Sequence, residues 1–147
     1  MVYKVLIVED EAITALDLKV SLEELGYEIV DVVDNGQDAI NVAVEKRPDV
    51  VLMDINLKGD MNGIQAAAKI IEFSIPIVYL TANIDDETFF EANKEGAYGY
   101  LTKPYNIVKL KNVIKLTIQR AKINSQKINL AHGFVKKKIK SGKRLFK

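Results

Sequence analysis

Residues 50–60 read VVLMDINLKGD: four apolar residues run directly into an aspartate, Asp54, and then into a glycine-containing loop. Side chains of a strand alternate between two faces, so a run that is apolar at every position belongs in a sheet covered on both sides. The carboxylate of Asp54 therefore sits where a buried strand ends. Four more runs of strand length flank this one: YKVLIV (3–8), YEIVDVV (27–33), IPIVYL (75–80) and YGYL (98–101). Each is rich in β-branched or aromatic residues.

Helical patterns separate the runs. Ala15, Leu18, Leu22 and Leu25 step by three and four residues, with Gly26 placed to end the helix. Further stripes are Ala39, Ile40 and Ala43, then Ile64, Ala67 and Ile71, then a shorter one at Phe89 and Ala92, and last Ile107, Leu110, Ile114, Thr117 and Ala121. Five successive β-then-α units predict an α/β fold with a doubly wound, five-stranded parallel sheet, because parallel neighbours need right-handed crossovers. The apolar first, third and fourth strands suit the interior. The second, with polar residues interleaved, and the short fifth suit the edges.

The 147 residues are 48% hydrophobic and 28% charged, the composition of one soluble globular domain. No apolar run approaches the roughly 18 residues of a membrane span, and the start MVYKVLIVEDE lacks the features of a secretion signal. A cytoplasmic location is expected. Cysteine is absent, which excludes disulfides and thiolate metal sites. The net charge of +1 conceals a division: residues 1–119 hold 11 basic and 20 acidic residues, net −9, whereas residues 120–147 hold 10 basic and no acidic residues.

In open α/β sheets the binding crevice lies at the carboxyl ends of the strands, where the strand order reverses. The residues delivered there are Glu9 and Asp10 after the first strand, Asp54 after the third, Thr81 after the fourth, and Lys103 followed by Pro104 after the fifth. Three carboxylates in one depression repel each other and call for a cation. Mg²⁺ fits, since it takes few carboxylate oxygens and leaves positions for water and phosphate. Lys103 is expected to pair with Asp54 at rest and to balance added negative charge.

These residues carry a resemblance. VLIVEDE (5–11), VVLMDINL (50–57), VYLTAN (78–83) and GYLTKPY (99–105) together resemble the receiver domain of two-component response regulators, over about residues 3–122. The resemblance implies a flavodoxin-like strand order, 2-1-3-4-5. It implies that Asp54 takes a phosphoryl group from a phosphohistidine on a sensor histidine kinase or phosphotransfer protein. It also implies that Asp10, Asp54 and the carbonyl of Asn56 hold Mg²⁺, with Glu9 acting through water, while Lys103 and Thr81 contact the phosphoryl oxygens. Lys103–Pro104 is expected to be a cis peptide, and Tyr100 to be a switch aromatic that turns inward as Thr81 moves. The implied output is altered binding of a downstream protein through the fourth helix (around Phe89 and Ala92), the fifth strand and the fifth helix (from Ile107), with homodimerisation on phosphorylation a further outcome. Such a protein is a phosphoacceptor that assists its own phosphotransfer and dephosphorylation, rather than an enzyme acting on a separate substrate.

Three positions depart from the common pattern: eight residues rather than seven separate Asp54 from Gly63, Lys58 stands where many members have proline, and Asn62 replaces the usual aspartate. Asn56 and Asn83, two residues past Asp54 and Thr81, are placed to tune phosphate lifetime.

The sequence divides into a receiver body, 1–122, and a basic helical extension and tail, 123–147. Ile107, Ile114, Ala121 and Ile128 are spaced by seven and predict a last helix that runs past the body, with Gly133 placed to cap it. The end, GFVKKKIKSGKRLFK, is too short for an output domain. Three readings stand open for it: a solvated tail, folding back on the acidic body, or contact with an anionic partner such as nucleic acid or a lipid surface through Ile139, Leu145 and Phe146. His132 reads as a surface residue. Two other functions compete with the switch: a constitutive adaptor working through the basic tail, and an aspartate-nucleophile phosphatase. VEDEAIT (8–14) lacks the second aspartate and threonine that such phosphatases place after the first strand.

Overall fold

The structure is a computed structural model that describes residues 1–82 and 99–140, with side chains as far as Ser125. The helix expected around Phe89 and Ala92, Asn83, and the tail residues Leu145 and Phe146 lie outside the described residues. So do the side chains of Ile128, His132 and Ile139.

The elements alternate: β1 (Lys4–Val8), α1 (Ala12–Glu24), β2 (Glu28–Val33), α2 (Gly36–Lys46), β3 (Val50–Asp54), α3 (Gly63–Ile71), β4 (Ile77–Thr81), β5 (Gly99–Thr102) and a C-terminal helix, Ile107–Lys140. The five strands form one sheet in the order β2-β1-β3-β4-β5, with every neighbouring pair parallel. The edges are β2 and β5, as their polar or short sequences require. Central strands β3 and β4 are buried at every position.

Alternation along the central strands sorts their side chains into two cores. Leu6, Val8, Val51, Met53, Ile77 and Tyr79 face α2 and α3, where they meet Ala39, Ala43, Ile64, Ala67 and Ile70. Val5, Ile7, Val50, Leu52, Val78 and Leu80 face the other way, onto Leu18 and Leu22 of α1 and onto Leu110, Ile114 and Ile118 of the C-terminal helix. Each large aliphatic side chain so buried contributes roughly 1.5–3 kcal/mol.

Helix ends follow local chemistry. α1 stops at Gly26, whose φ of +94° lies in the left-handed region; the amides of Gly26 and Tyr27 fold back on the carbonyls of Glu23 and Leu22. α3 starts from a capping box in which the Asn62 side chain accepts from the Gln65 N–H and the Gln65 side chain accepts from the Asn62 N–H. Asn62 thus does structural work in the position where an aspartate is usual.

Two expectations for the last helix need correction. Ile107 is exposed and Ile118 joins the core, because an apolar stripe marks the inward face of a helix without marking where the sheet beneath it ends. Gly133 does not cap the helix, which continues to Lys140. A glycine inside a helix costs only about 1 kcal/mol, less than the helical turns around it can supply.

Candidate functional site

Parallel register brings the functional residues to one end of the sheet. Val8 pairs with Met53, so the next residues, Glu9 and Asp54, lie side by side. Asp54 is the last residue of β3, one further than the apolar run, and pairs with Leu80 of β4. Thr81 ends β4 and pairs with Thr102 of β5, which sets Lys103 beyond it; the Lys103 N–H donates to the Thr81 carbonyl at 2.6 Å. The Lys103–Pro104 peptide is cis.

Glu9, Asp10 and Asp54 each offer a carboxylate oxygen, and these oxygens all lie within 4.8 Å of one another. Glu9, Asp54 and Thr81 are buried, whereas Asp10 is half-buried. The Asp54 Oδ1 accepts from the Asn56 N–H at 3.0 Å, and the Glu9 Oε2 accepts from the Asp10 N–H at 3.1 Å. The ammonium of Lys103 donates to the Glu9 Oε1 at 2.6 Å. Lys103 therefore pairs with Glu9, not with Asp54 as expected from sequence. Glu9 is the more deeply buried charge, and an unpaired buried carboxylate is the costlier one to leave.

This choice shapes the electrostatics of the pocket. Burial raises the Asp54 carboxyl, and its hydrogen bond with Glu9 raises it further against the pull of the Asn56 N–H, so that it is pushed up to about 7. Burial also works to raise Glu9, but hydrogen bonds with Asp54 and Lys103 and the lysine's charge carry it below the ordinary carboxylate range. The two acids therefore titrate as a coupled pair, with Asp54 raised and Glu9 lowered. One lysine does not neutralise three acids. A hard divalent cation with oxygen ligands fits both the donor set and the missing charge, and Mg²⁺ suits so small a cluster.

Three neighbours of the site were not among the residues the sequence assigned to it. The backbone N–H of Lys58, in the loop after β3, donates to the Asp10 Oδ2 at 3.2 Å. Tyr105, which follows the cis proline, packs against the core on the α1 and C-terminal-helix side of the sheet, and burial with the charges of Glu9, Asp17 and Asp54 pushes its phenol up to about 12. A groove of about 470 Å³ between α1, β2 and α2 opens beside Glu9 and Asp10. Tyr100 lies on edge strand β5 with its ring partly exposed.

Gly63, the first residue of α3, packs directly against the end of β3. A Cβ there would collide with the Asp54 carbonyl and with the backbone of Ile55. Gly63→Ala is expected to cost roughly 2 kcal/mol, since backbone atoms on both sides leave little room to give. Urea unfolding checks this, and an unchanged midpoint would reject the packing argument.

The sequence profile of the response regulator receiver domain matches residues 5–115. The chain belongs to this family. Among relatives, the transcriptional regulatory protein PdtaR of Mycobacterium tuberculosis is 42% identical over 118 residues, which cover 80% of this chain and 57% of PdtaR. The chain thus spans little more than half of that relative. The chemotaxis protein CheY of Thermotoga maritima is 35% identical over 104 residues, covering 69% of this chain and 86% of CheY. The receiver domain of the sensor histidine kinase PA1611 from Pseudomonas aeruginosa, solved with a magnesium ion coordinated in its active-site cleft, superposes with a TM-score of 0.73 at 28% identity, covering 81% of this chain and 99% of that one. The five-stranded parallel fold of this chain matches that solved receiver domain, and among its described residues no helix is long and apolar enough to cross a membrane.

Proposed function

We propose that this receiver domain is a cytoplasmic phosphorylation switch that accepts a phosphoryl group on Asp54 from a sensor histidine kinase or phosphotransfer protein. The observation that carries the reading is the convergence of Glu9, Asp10 and Asp54 within 4.8 Å, with the Lys103 ammonium at the same cluster. In the transfer, the bond from phosphorus to the imidazole nitrogen breaks, a bond to an Asp54 oxygen forms, and the departing histidine takes up a proton. A loose phosphoryl transition state leaves the protein positioning and electrostatic work.

Asp10, Asp54 and the Asn56 carbonyl would hold Mg²⁺, with Glu9 acting through water. When bound, the ion supplies positive charge for the phosphoryl oxygens. Asp54 acts as nucleophile in its ionised form, which a bound cation would favour. Lys103, a flexible point charge, exchanges Glu9 for a phosphoryl oxygen, and the Thr81 hydroxyl donates to another.

Two exposed surfaces support the partners in this reading. Ile13, Leu16 and Val20 form an apolar row at spacings of three and four on the outer face of α1, close to the pocket, and suit a docked kinase or phosphotransfer helix. Tyr100, Ile107 and Val108 are exposed along β5 and the start of the C-terminal helix, and suit a downstream protein that senses the phosphorylated state. The acyl phosphate adds about one to two negative charges, enough to bias a two-state surface. Residues 1–122 form the switch and residues 123–147 the basic extension.

The test is phosphorylation by acetyl phosphate in the presence of Mg²⁺, read by intact mass. The wild-type chain is expected to gain one phosphoryl group and Asp54→Asn none. Equal labelling of both, or none of either, would defeat the proposal.

A further inference from the structure

We infer that the backbone amide of Lys58 is a positioning group for Asp10, fixing one carboxylate oxygen so that the other is left to the divalent cation. The inference rests on the cation reading above and adds a group that touches no ligand itself. Its basis is the hydrogen bond from the Lys58 N–H to the Asp10 Oδ2 at 3.2 Å, which joins segments 48 residues apart in the chain.

The amide is held where it is by its neighbours. Leu57, one residue before it, is buried in the core on the α2–α3 side of the sheet. The loop is anchored at its start by the Ile55 N–H on the Leu80 carbonyl at 3.1 Å and is closed by the Gly63 N–H on the Ile55 carbonyl at 3.0 Å. The capping box at Asn62 fixes its far end. The donor is therefore preorganised, whereas Asp10 is half-buried on the loop after β1 and gains orientation from it. With Oδ2 committed, Asp10 offers a single oxygen, which suits an ion that takes few carboxylate oxygens and keeps its waters. Proline at position 58 could not make this bond, because it has no N–H. The position thus uses its main chain, and any residue except proline should serve.

The test compares Lys58→Ala, which keeps the amide and removes the charge, with Lys58→Pro, which removes the amide as well. Titration calorimetry with MgCl₂ on the full chain is expected to show the alanine variant within about twofold of wild type and the proline variant roughly tenfold weaker, in line with the loss of a group that orients a metal ligand. Equal Mg²⁺ affinity in the two variants would overturn the inference and leave the cation reading intact. Absence of Mg²⁺ uptake by the wild-type chain would overturn both.

Should the proline variant not fold, amide exchange in the metal-free chain decides. The Lys58 N–H is expected to exchange about tenfold faster in Asp10→Ala than in wild type, with the buried amides of β3 unchanged. Identical Lys58 exchange in the two proteins would overturn the inference.

Discussion

Asp54→Asn is expected to stabilise the metal-free chain at pH 8 as it abolishes phosphoryl uptake. The Asp54 carboxyl is raised from 3.8 to about 7 by burial and by Glu9, so between those values the folded chain binds more protons than the unfolded one. Its contribution to stability is complete below about pH 4 and is lost as the pH rises through about 7. Glu9 runs the other way: its lowered value contributes stability above the ordinary carboxylate range that is lost on acidification. A shift of three units sets an upper limit of about 4 kcal/mol, which the opposite shift of Glu9 reduces. Asparagine keeps the shape of the side chain, cannot ionise, and can donate to Glu9 as the protonated acid does. Urea unfolding at pH 5 and pH 8 measures the effect, with the variant's advantage confined to the higher pH. Adding Mg²⁺ at pH 8 should stabilise wild type more than the variant, since binding to the folded state alone adds to stability. Equal midpoints at pH 8 would sink this account of the pocket.

Lys103→Met is expected to cost about 3 kcal/mol at pH 8, because it strands the Glu9 carboxylate, 1% exposed, beside Asp54. The loss should shrink at pH 5, where the acids take up the proton that the missing ammonium no longer balances. Glu9→Gln in the same chain removes the stranded charge and should recover most of the stability. Phosphoryl uptake should fall by roughly 100-fold or more in the single variant, as expected when one charged donor to the transferred group is lost, and the double variant should not restore it. That split separates the two roles of the lysine. A single variant as stable as wild type would show that Glu9 does not depend on Lys103.

Much of the architecture was legible because it rests on patterns local in the chain. Continuous apolar runs located β1, β3 and β4 in the interior, and broken or short ones located β2 and β5 at the edges. That Glu9, Asp10, Asp54, Thr81 and Lys103 come to one end of the sheet was legible because strand ends are: a parallel sheet gathers them once the strands are in order. The strand order itself came through the family resemblance, since period-two alternation does not tell a strand which neighbours it has. The buried span of the last helix differed from its apolar stripe because sequence has no measure of the sheet beneath it: Ile118 packs inward while Ile107 does not.

The sequence by itself determined which side chains are apolar on two faces, which loops carry acids, and therefore that several carboxylates meet near a lysine. Only the tertiary structure decided how those charges are apportioned. Lys103 sits on Glu9 rather than Asp54, burial beside Glu9 raises the Asp54 carboxyl, and the Lys58 amide reaches Asp10 across 48 residues. Pairing among buried charges follows desolvation and ångström-scale reach, and both are properties of the packed molecule that no spacing along the chain encodes.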